Sequence, residues 1–260
     1  MKQLPLLLSL LFLSLGVLQA QRTIDASEII SRLDAGDDID LRGVTVNGDL
    51  NFTQVADRER DRGSDWADGE NYRCHVRNQV SFVDCTFTGK VLGYFREEEE
   101  GRRNRNRNWN NNGPLYNVDF HEGVSFSGCQ FAGDVNFKYS RFYEGADFQE
   151  SGFGERALFK YSKFDNSANF AGVEIAGESV FKYTQFPDGV DFSQARFNGD
   201  ATFKYTKFPE GVDFSQATFQ REANFKYAQF AEGSNFTGTD FGNNTDFKYA
   251  QLDGRKFDGH

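Results

Sequence analysis

A lysine followed by a tyrosine recurs six times at intervals of 22 residues: Lys138-Tyr139, Lys160-Tyr161, Lys182-Tyr183, Lys204-Tyr205, Lys226-Tyr227 and Lys248-Tyr249. If 22 residues make one lap of a solenoid, these pairs line up as two outward columns with a rung height of about 4.8 Å. Stacked tyrosine rings attract, whereas stacked ammonium groups repel unless paired. Such a wall suits an extended polyanion or a polysaccharide. Its plainer alternative is a repeated, solvated strand face. The acids Glu144, Asp188, Glu210 and Glu232 recur one corner on and are expected to offset the lysine repulsion.

A second set of candidates is not periodic. The chain has two tryptophans, Trp66 and Trp109, each among arginines: Arg60 and Arg62 by the first, Arg103, Arg105 and Arg107 by the second. Trp and Arg dominate interface hot spots, so these residues are candidates for partner binding. A solvated low-complexity segment such as "RNRNRNWNNN" is the competing view.

Cys74, Cys85 and Cys129 each stand two residues before a central apolar residue. Cys85 and Cys129 fall in one column on adjacent laps, close enough for a disulfide. Buried thiols filling an alanine-sized slot are the other option. His75 and His121 share one side of adjacent laps, with Asp119 expected to stack on His75. A metal site there competes with two exposed histidines on a strand face. No Ser-His-Asp or Cys-His arrangement, phosphate-cradling glycine loop or paired-carboxylate cleft is legible. A convex rod also lacks the concavity that enzymes use. No catalytic residue, metal site or cofactor is assigned.

The elements that hold these residues follow from phenylalanine, of which there are 29. From Phe126 onward apolar residues alternate at spacings of five and six up to Leu252, and all but Ile175 and Leu252 are Phe. Glycine and aspartate are too dense for a helical period of 11. A small residue two before each Phe makes a period-2 strand, and Gly, Asp or Asn then turns the chain. Four short strands and four corners give one 22-residue lap. The same phase runs back through Phe82, Phe87, Gly93 and Phe120 to Leu41, Val46, Phe52 and Val76.

The units "ADFQE" (146–150), "ANFKY" (223–227) and "TDFKY" (245–249) resemble the pentapeptide-repeat family over roughly residues 39–257. That resemblance implies an all-β fold, a right-handed four-sided β-helix of about eight coils. Every second unit here has six residues, so the coil should be slightly larger and less square. "DASEIISRLDAG" (25–36) reads as a capping helix within 21–38, with Asp25 and Glu28 as a capping box and Gly36 as a C-cap. No comparable cap is legible at the C-terminus, and Phe257 is expected to begin a ninth coil. The repeats occupy 39–260, interrupted by inserted loops at about 53–73 and 94–114. Both loops leave the same corner on consecutive coils and should project side by side.

Residues 1–20, "MKQLPLLLSLLFLSLGVLQA", have the form of a signal peptide cleaved after Ala20. Export to a periplasmic or extracellular location is expected, with no membrane span afterwards. The net charge of −10 argues against binding phosphate backbones. The expected function is a non-enzymatic exported structural or interaction protein, presenting loops and ladders to a protein or glycan partner. It is expected to be monomeric, or an end-to-end homodimer through an uncapped C-terminal coil. A second reading follows from some members of the family, which mimic DNA and inhibit or protect DNA-handling enzymes. The acidity fits that reading, but the export signal and the lysine column do not.

Overall fold

The computed structural model describes residues 22–61, 70–97 and 113–259. The expected signal peptide, residues 1–20, and Arg62, Trp66, Arg103, Arg105, Arg107 and Trp109 lie outside the described residues.

The repeat closes into four parallel faces, one strand per face per lap. Laps stack in the register set by the 22-residue period: Phe153 opposite Phe131, Phe164 opposite Phe142, and Phe219 opposite Phe197. The inserted laps keep the same phase, with Leu41 opposite Phe82, Val46 opposite Phe87 and Val76 opposite Phe120. Two-residue strands cannot hold a register alone. What fixes it is the core, where each ring stacks on its copy in the next lap, as in Phe159–Phe181 at 5.1 Å and Phe181–Phe203 at 5.0 Å. Within a lap, neighbouring rings meet edge to face, as in Phe181–Phe192 at 5.1 Å. Both geometries are the favourable ones for aromatic quadrupoles.

Both ends differ from expectation. The helix spans Ala26–Asp34 and buries Ala26, Ile29, Ile30 and Leu33 over the first lap. Asp25 is its N-cap, but its side chain makes no capping bond; it accepts from Asn47 Nδ2 instead. This happens because Thr23–Asp25 is itself a strand paired with Thr45–Asn47, which places Ile24 beside Val46. The core therefore starts one position earlier than the first legible lap. At the other end, Gln251–Leu252 and Arg255–Lys256 form an antiparallel hairpin. It turns through Asp253 and Gly254, both at positive φ, the signature of a two-residue hairpin turn. Phe257 thereby folds back onto Phe230, Phe236 and Phe247, at 5.2, 4.9 and 5.2 Å. It begins no ninth coil, and the expectation of an uncapped C-terminus is corrected: the residue plugs the last lap. An end-to-end dimer would have to form on the edge strands left around that plug.

All three cysteines are buried free thiols. The Cys85–Cys129 bridge is not formed, and the alanine-slot alternative describes the pair. The Cys85 and Cys129 thiols donate to Leu41 O and Phe82 O, both at 3.4 Å. Burial pushes Cys74 up to about 11. A hydrogen bond with Cys85, followed by burial, raises Cys129, while the same bond lowers Cys85. Three thiols should therefore titrate in denaturant without reductant, and almost none in the native protein. A count of one would restore the bridge.

Candidate functional site

The lysine–tyrosine columns run down the corner between the third and fourth faces. The turn there is fixed by a bond from the residue after each Tyr to the Phe two before it, as in Ser162 N to Phe159 O at 3.1 Å. Beneath the corner a buried hydroxyl ties each of the laps of Ser140, Ser162, Thr184 and Thr206 to the previous one, and Ala228 and Ala250 take its place on the last two. Ser162 Oγ donates to Phe137 O at 2.6 Å, Thr184 Oγ1 to Phe159 O at 2.7 Å, and Thr206 Oγ1 to Phe181 O at 2.6 Å. The corner is thus a rigid mount.

The tyrosines occupy an unusual backbone conformation. Tyr139, Tyr161, Tyr183, Tyr205, Tyr227 and Tyr249 all have φ between 59° and 64°. This turn asks for glycine or asparagine at that position, and a bulky residue there costs about 1–3 kcal/mol. The corner after the first face makes the same turn with Gly128, Gly172 and Gly238, or with polar Asp84, Glu150, Gln194 and Gln216.

The rings stack within 5° of parallel from Tyr139 to Tyr227, at centroid distances of 4.8, 5.0, 4.7 and 4.7 Å, and Tyr249 continues the column at 4.8 Å. Five lysines lay Nζ 5.0–5.3 Å from the ring of their own Tyr. Stacking returns about 0.5–1.5 kcal/mol per pair, and an exposed cation–π contact about 0.5–1. Together they roughly offset the backbone strain. Stability alone therefore gives the rod no reason to prefer Lys-Tyr over glycine at this corner.

The expected compensation of the lysines does not occur. Glu144, Asp188, Glu210 and Glu232 form no ion pair with the column; among the described residues Lys226 alone is paired, to Asp246 at 3.0 Å. Burial and then the neighbours Lys182 and Lys138 lower the pKa of Lys160. Burial, followed by neighbouring phenols, raises Tyr139 and Tyr183. Beyond the tyrosines, a groove of about 400 Å³ is lined by Tyr161, Tyr183, Tyr205, Pro187, Lys207 and Pro209, among others.

The insertions leave and rejoin this corner as strands, not as loops alone. Arg58–Arg60 pairs antiparallel with Asn71–Val76, which pairs parallel with Leu115–Phe120, which pairs antiparallel with Tyr94–Arg96. This four-stranded flag aligns Arg60, Tyr72, Tyr116 and Phe95 in one row by register. Tyr72 and Tyr116 stack at 5.1 Å, Arg58 lies 5.8 Å from the Tyr116 ring, and Phe95 is 39% exposed. Of the predicted insertion residues, Arg60 is placed here, ion-paired with Glu70 at 3.8 Å. The flag also extends the ladder: Tyr94 lies 6.1 Å from Tyr139, and Lys138 Nζ stands 4.7 Å from the Tyr94 ring. Sequence reasoning missed Tyr72, Tyr94 and Tyr116. The alternation in "NYRCHV" and "LYNVDF" was the available signal.

His75 lies in this flag and His121 directly follows its strand Leu115–Phe120, and both are half-buried rather than exposed. His75 Nδ1 and His121 Nε2 lie 2.9 Å apart, so one ring donates to the other. Tyr143 stacks on His121 at 4.9 Å, and Glu59 Oε1 lies 3.5 Å from His75 Nε2. Asp119 is the rung partner of His75 but its carboxylate accepts from Arg73. Among the described residues no group of three His, Cys, Asp or Glu stands in a geometry for a metal ion. Burial, then Arg77 and His75, lowers His121 below the usual histidine range, against Asp119 and Asp57. The unfolded chain therefore takes up this proton more readily than the folded one near pH 6.5. The stabilisation is complete above that pH and is lost as pH falls through the folded value. The protection factors of amides in Asn71–Val76 and Leu115–Phe120, taken against the unfolded exchange rate at each pH, should fall between pH 7 and pH 5, and His121→Gln should flatten that dependence. Equal protection factors at both pH values would contradict the lowered affinity of His121 for its proton.

Fold and site together define a four-sided solenoid whose chemistry is displayed on a corner rather than enclosed. The family model for pentapeptide repeats (9 copies) matches residues 115–163, 159–207 and 203–251, which is more than half of the chain. The chain belongs to the pentapeptide-repeat family, a non-enzymatic kind of repeat protein. No curated protein matches it. The solved structure of HetL, a pentapeptide repeat protein involved in heterocyst differentiation regulation from the cyanobacterium Nostoc, is 10% identical and aligns over 88% of this chain and 98% of its own, with a TM-score of 0.26. The family assignment accordingly rests on the repeat match.

Proposed function

We propose that this protein is an exported, non-enzymatic scaffold that presents its ladder corner and the flag, as one surface, to a protein or glycan partner. The observation that carries this is the set of six tyrosines held at positive φ. A strained residue type repeated on six consecutive laps, where glycine would serve the fold, points to a role outside the fold. Tyr94 supports the same reading, because the flag joins the ladder as a further rung. The exposed aromatic row with its arginines has the composition of an interface core.

The test is affinity capture from the envelope of the source cell with three baits: wild type, Tyr161→Asn/Tyr183→Asn/Tyr205→Asn, and a deletion of 97–112. Asparagine tolerates positive φ, so the triple variant should keep its thermal midpoint. The expected result is a partner recovered by wild type and lost from the triple variant. Undiminished recovery by both variants would overturn the proposal. Export itself is checked by the N-terminus of the mature chain, expected at Gln21.

A further inference from the structure

We propose that the lysine–tyrosine corner binds a linear acidic polysaccharide laid along the rod axis. This rests on the reading of the ladder as a partner-binding surface, and it names the ligand.

Charge makes the first argument. Among the described residues five of the six column lysines have no ion pair, and the column sits on a chain of net charge −10. Lys160 already feels Lys138 and Lys182. A single acidic ligand would touch one rung and leave that repulsion in place, whereas a polyanion spanning many rungs relieves it. The tyrosines have donors on their other flank as well. The outward positions of the fourth face carry Arg141, Lys163, Gln185, Lys207, Gln229 and Gln251 in register. Arg141 and Lys163 are paired with Asp165, and Lys207 is not paired to any described residue. The groove lined by Tyr183, Pro187 and Lys207 runs along this flank.

Ring geometry separates the classes of polyanion. Base recognition on single strands needs open aromatic faces. Here each face from Tyr161 to Tyr227 is covered by the next ring at 4.7–5.0 Å. Ring edges and phenol hydroxyls remain outward, and no ladder hydroxyl bonds to a described residue. The corner therefore offers hydrogen-bond donors and cations but no stacking platform. An acidic peptide fits the spacing poorly. Same-side residues of an extended strand lie about 6.6–6.8 Å apart, out of step with rungs about 4.8 Å high. A chain of acidic sugar rings, one carboxylate or sulfate per ring, repeats close to the rung height.

Polygalacturonate serves as the probe for calorimetric titration of the full-length protein at low salt. Dextran, poly-glutamate and oligo-thymidylate are the comparators. Polygalacturonate should bind, and the affinity should fall as salt is raised. Lys160→Gln/Lys182→Gln/Lys204→Gln should bind roughly tenfold more weakly, with an unchanged circular dichroism melt. Deletion of 97–112 should leave the affinity as it was. Equal affinity for poly-glutamate or oligo-thymidylate would overturn the proposal as unselective charge attraction. So would an undiminished affinity in the triple lysine variant. Absence of binding to polygalacturonate would overturn it too. If ladder-dependent capture from the envelope persisted in that case, only the ligand class would fail; if it did not, the scaffold reading would fail with it.

Discussion

Replacing Phe181 by alanine is expected to cost about 3–5 kcal/mol of folding free energy, the range for emptying a fully buried aromatic site. Phe181 has no exposed surface. Its ring stacks between Phe159 and Phe203 at 5.1 and 5.0 Å and meets Phe170 and Phe192 edge-on at 5.4 and 5.1 Å. Those four neighbours are held by hydrogen-bonded strands above and below, so they cannot collapse into the space. A solenoid lap contacts only adjacent laps. The loss therefore falls on one interface in the middle of the rod, and denaturant unfolding should become broader or biphasic as the two halves separate. A single transition with a loss under about 1 kcal/mol would show that the Phe stack is not what holds the laps together.

Gly93→Phe restores the repeat, and it should nevertheless destabilise the protein. In the third face every other lap from Phe52 to Phe247 places Phe at this position. Here Phe137 has moved into the gap: a Cβ at Gly93 would stand 2.5 Å from Phe137 Cδ1 and 2.7 Å from Ser140 Oγ. Phe52 and Phe137 approach to 6.5 Å across the glycine. Gly93 O also accepts from Val118 N and Ser140 Oγ, at 3.0 and 3.2 Å, which ties down the root of the second insertion. Overpacking a filled core costs about 1–3 kcal/mol or more, and a full aromatic ring belongs at the upper end. A thermal midpoint at or above that of wild type would mean that the consensus residue fits and that the close approach of Phe137 is incidental.

The two cases show what the sequence disclosed and what it hid. Core columns were legible because a fixed period of 22 places the same residue type on the same face, and the insertions could be removed arithmetically without losing phase. Gly93 was assigned its column but not its consequence, since the movement of Phe137 into the gap is a packing response with no sequence signature. Ile24 stands 22 residues before Val46, so the period already marked it. The helical pattern that follows drew attention away from a three-residue strand. The hairpin that returns Phe257 was announced by "LDGR", but the repeat pattern outweighed the local turn signal. At the site, the Lys and Tyr columns were predicted residue by residue. The positive φ of the tyrosines was not, because Lys-Tyr carries none of the usual markers of a left-handed turn. The expected lysine–acid pairing failed for a geometric reason: the acids lie one corner on, and five of the six lysines rest on their own Tyr instead. The flag strands escaped notice because Arg-rich, Asn-rich composition masks the short alternating arms at its base.

The central claim is that this protein works through the corner carrying Tyr183. The most direct test places a photo-crosslinking amino acid at Tyr183 and, separately, at Gln194, which holds the same turn position after the first face. Both variants are expressed and irradiated in the source cell. The account predicts a crosslinked adduct, protein or glycan, from position 183 and none from position 194. Adducts of equal yield from both positions, or from 194 alone, would contradict it.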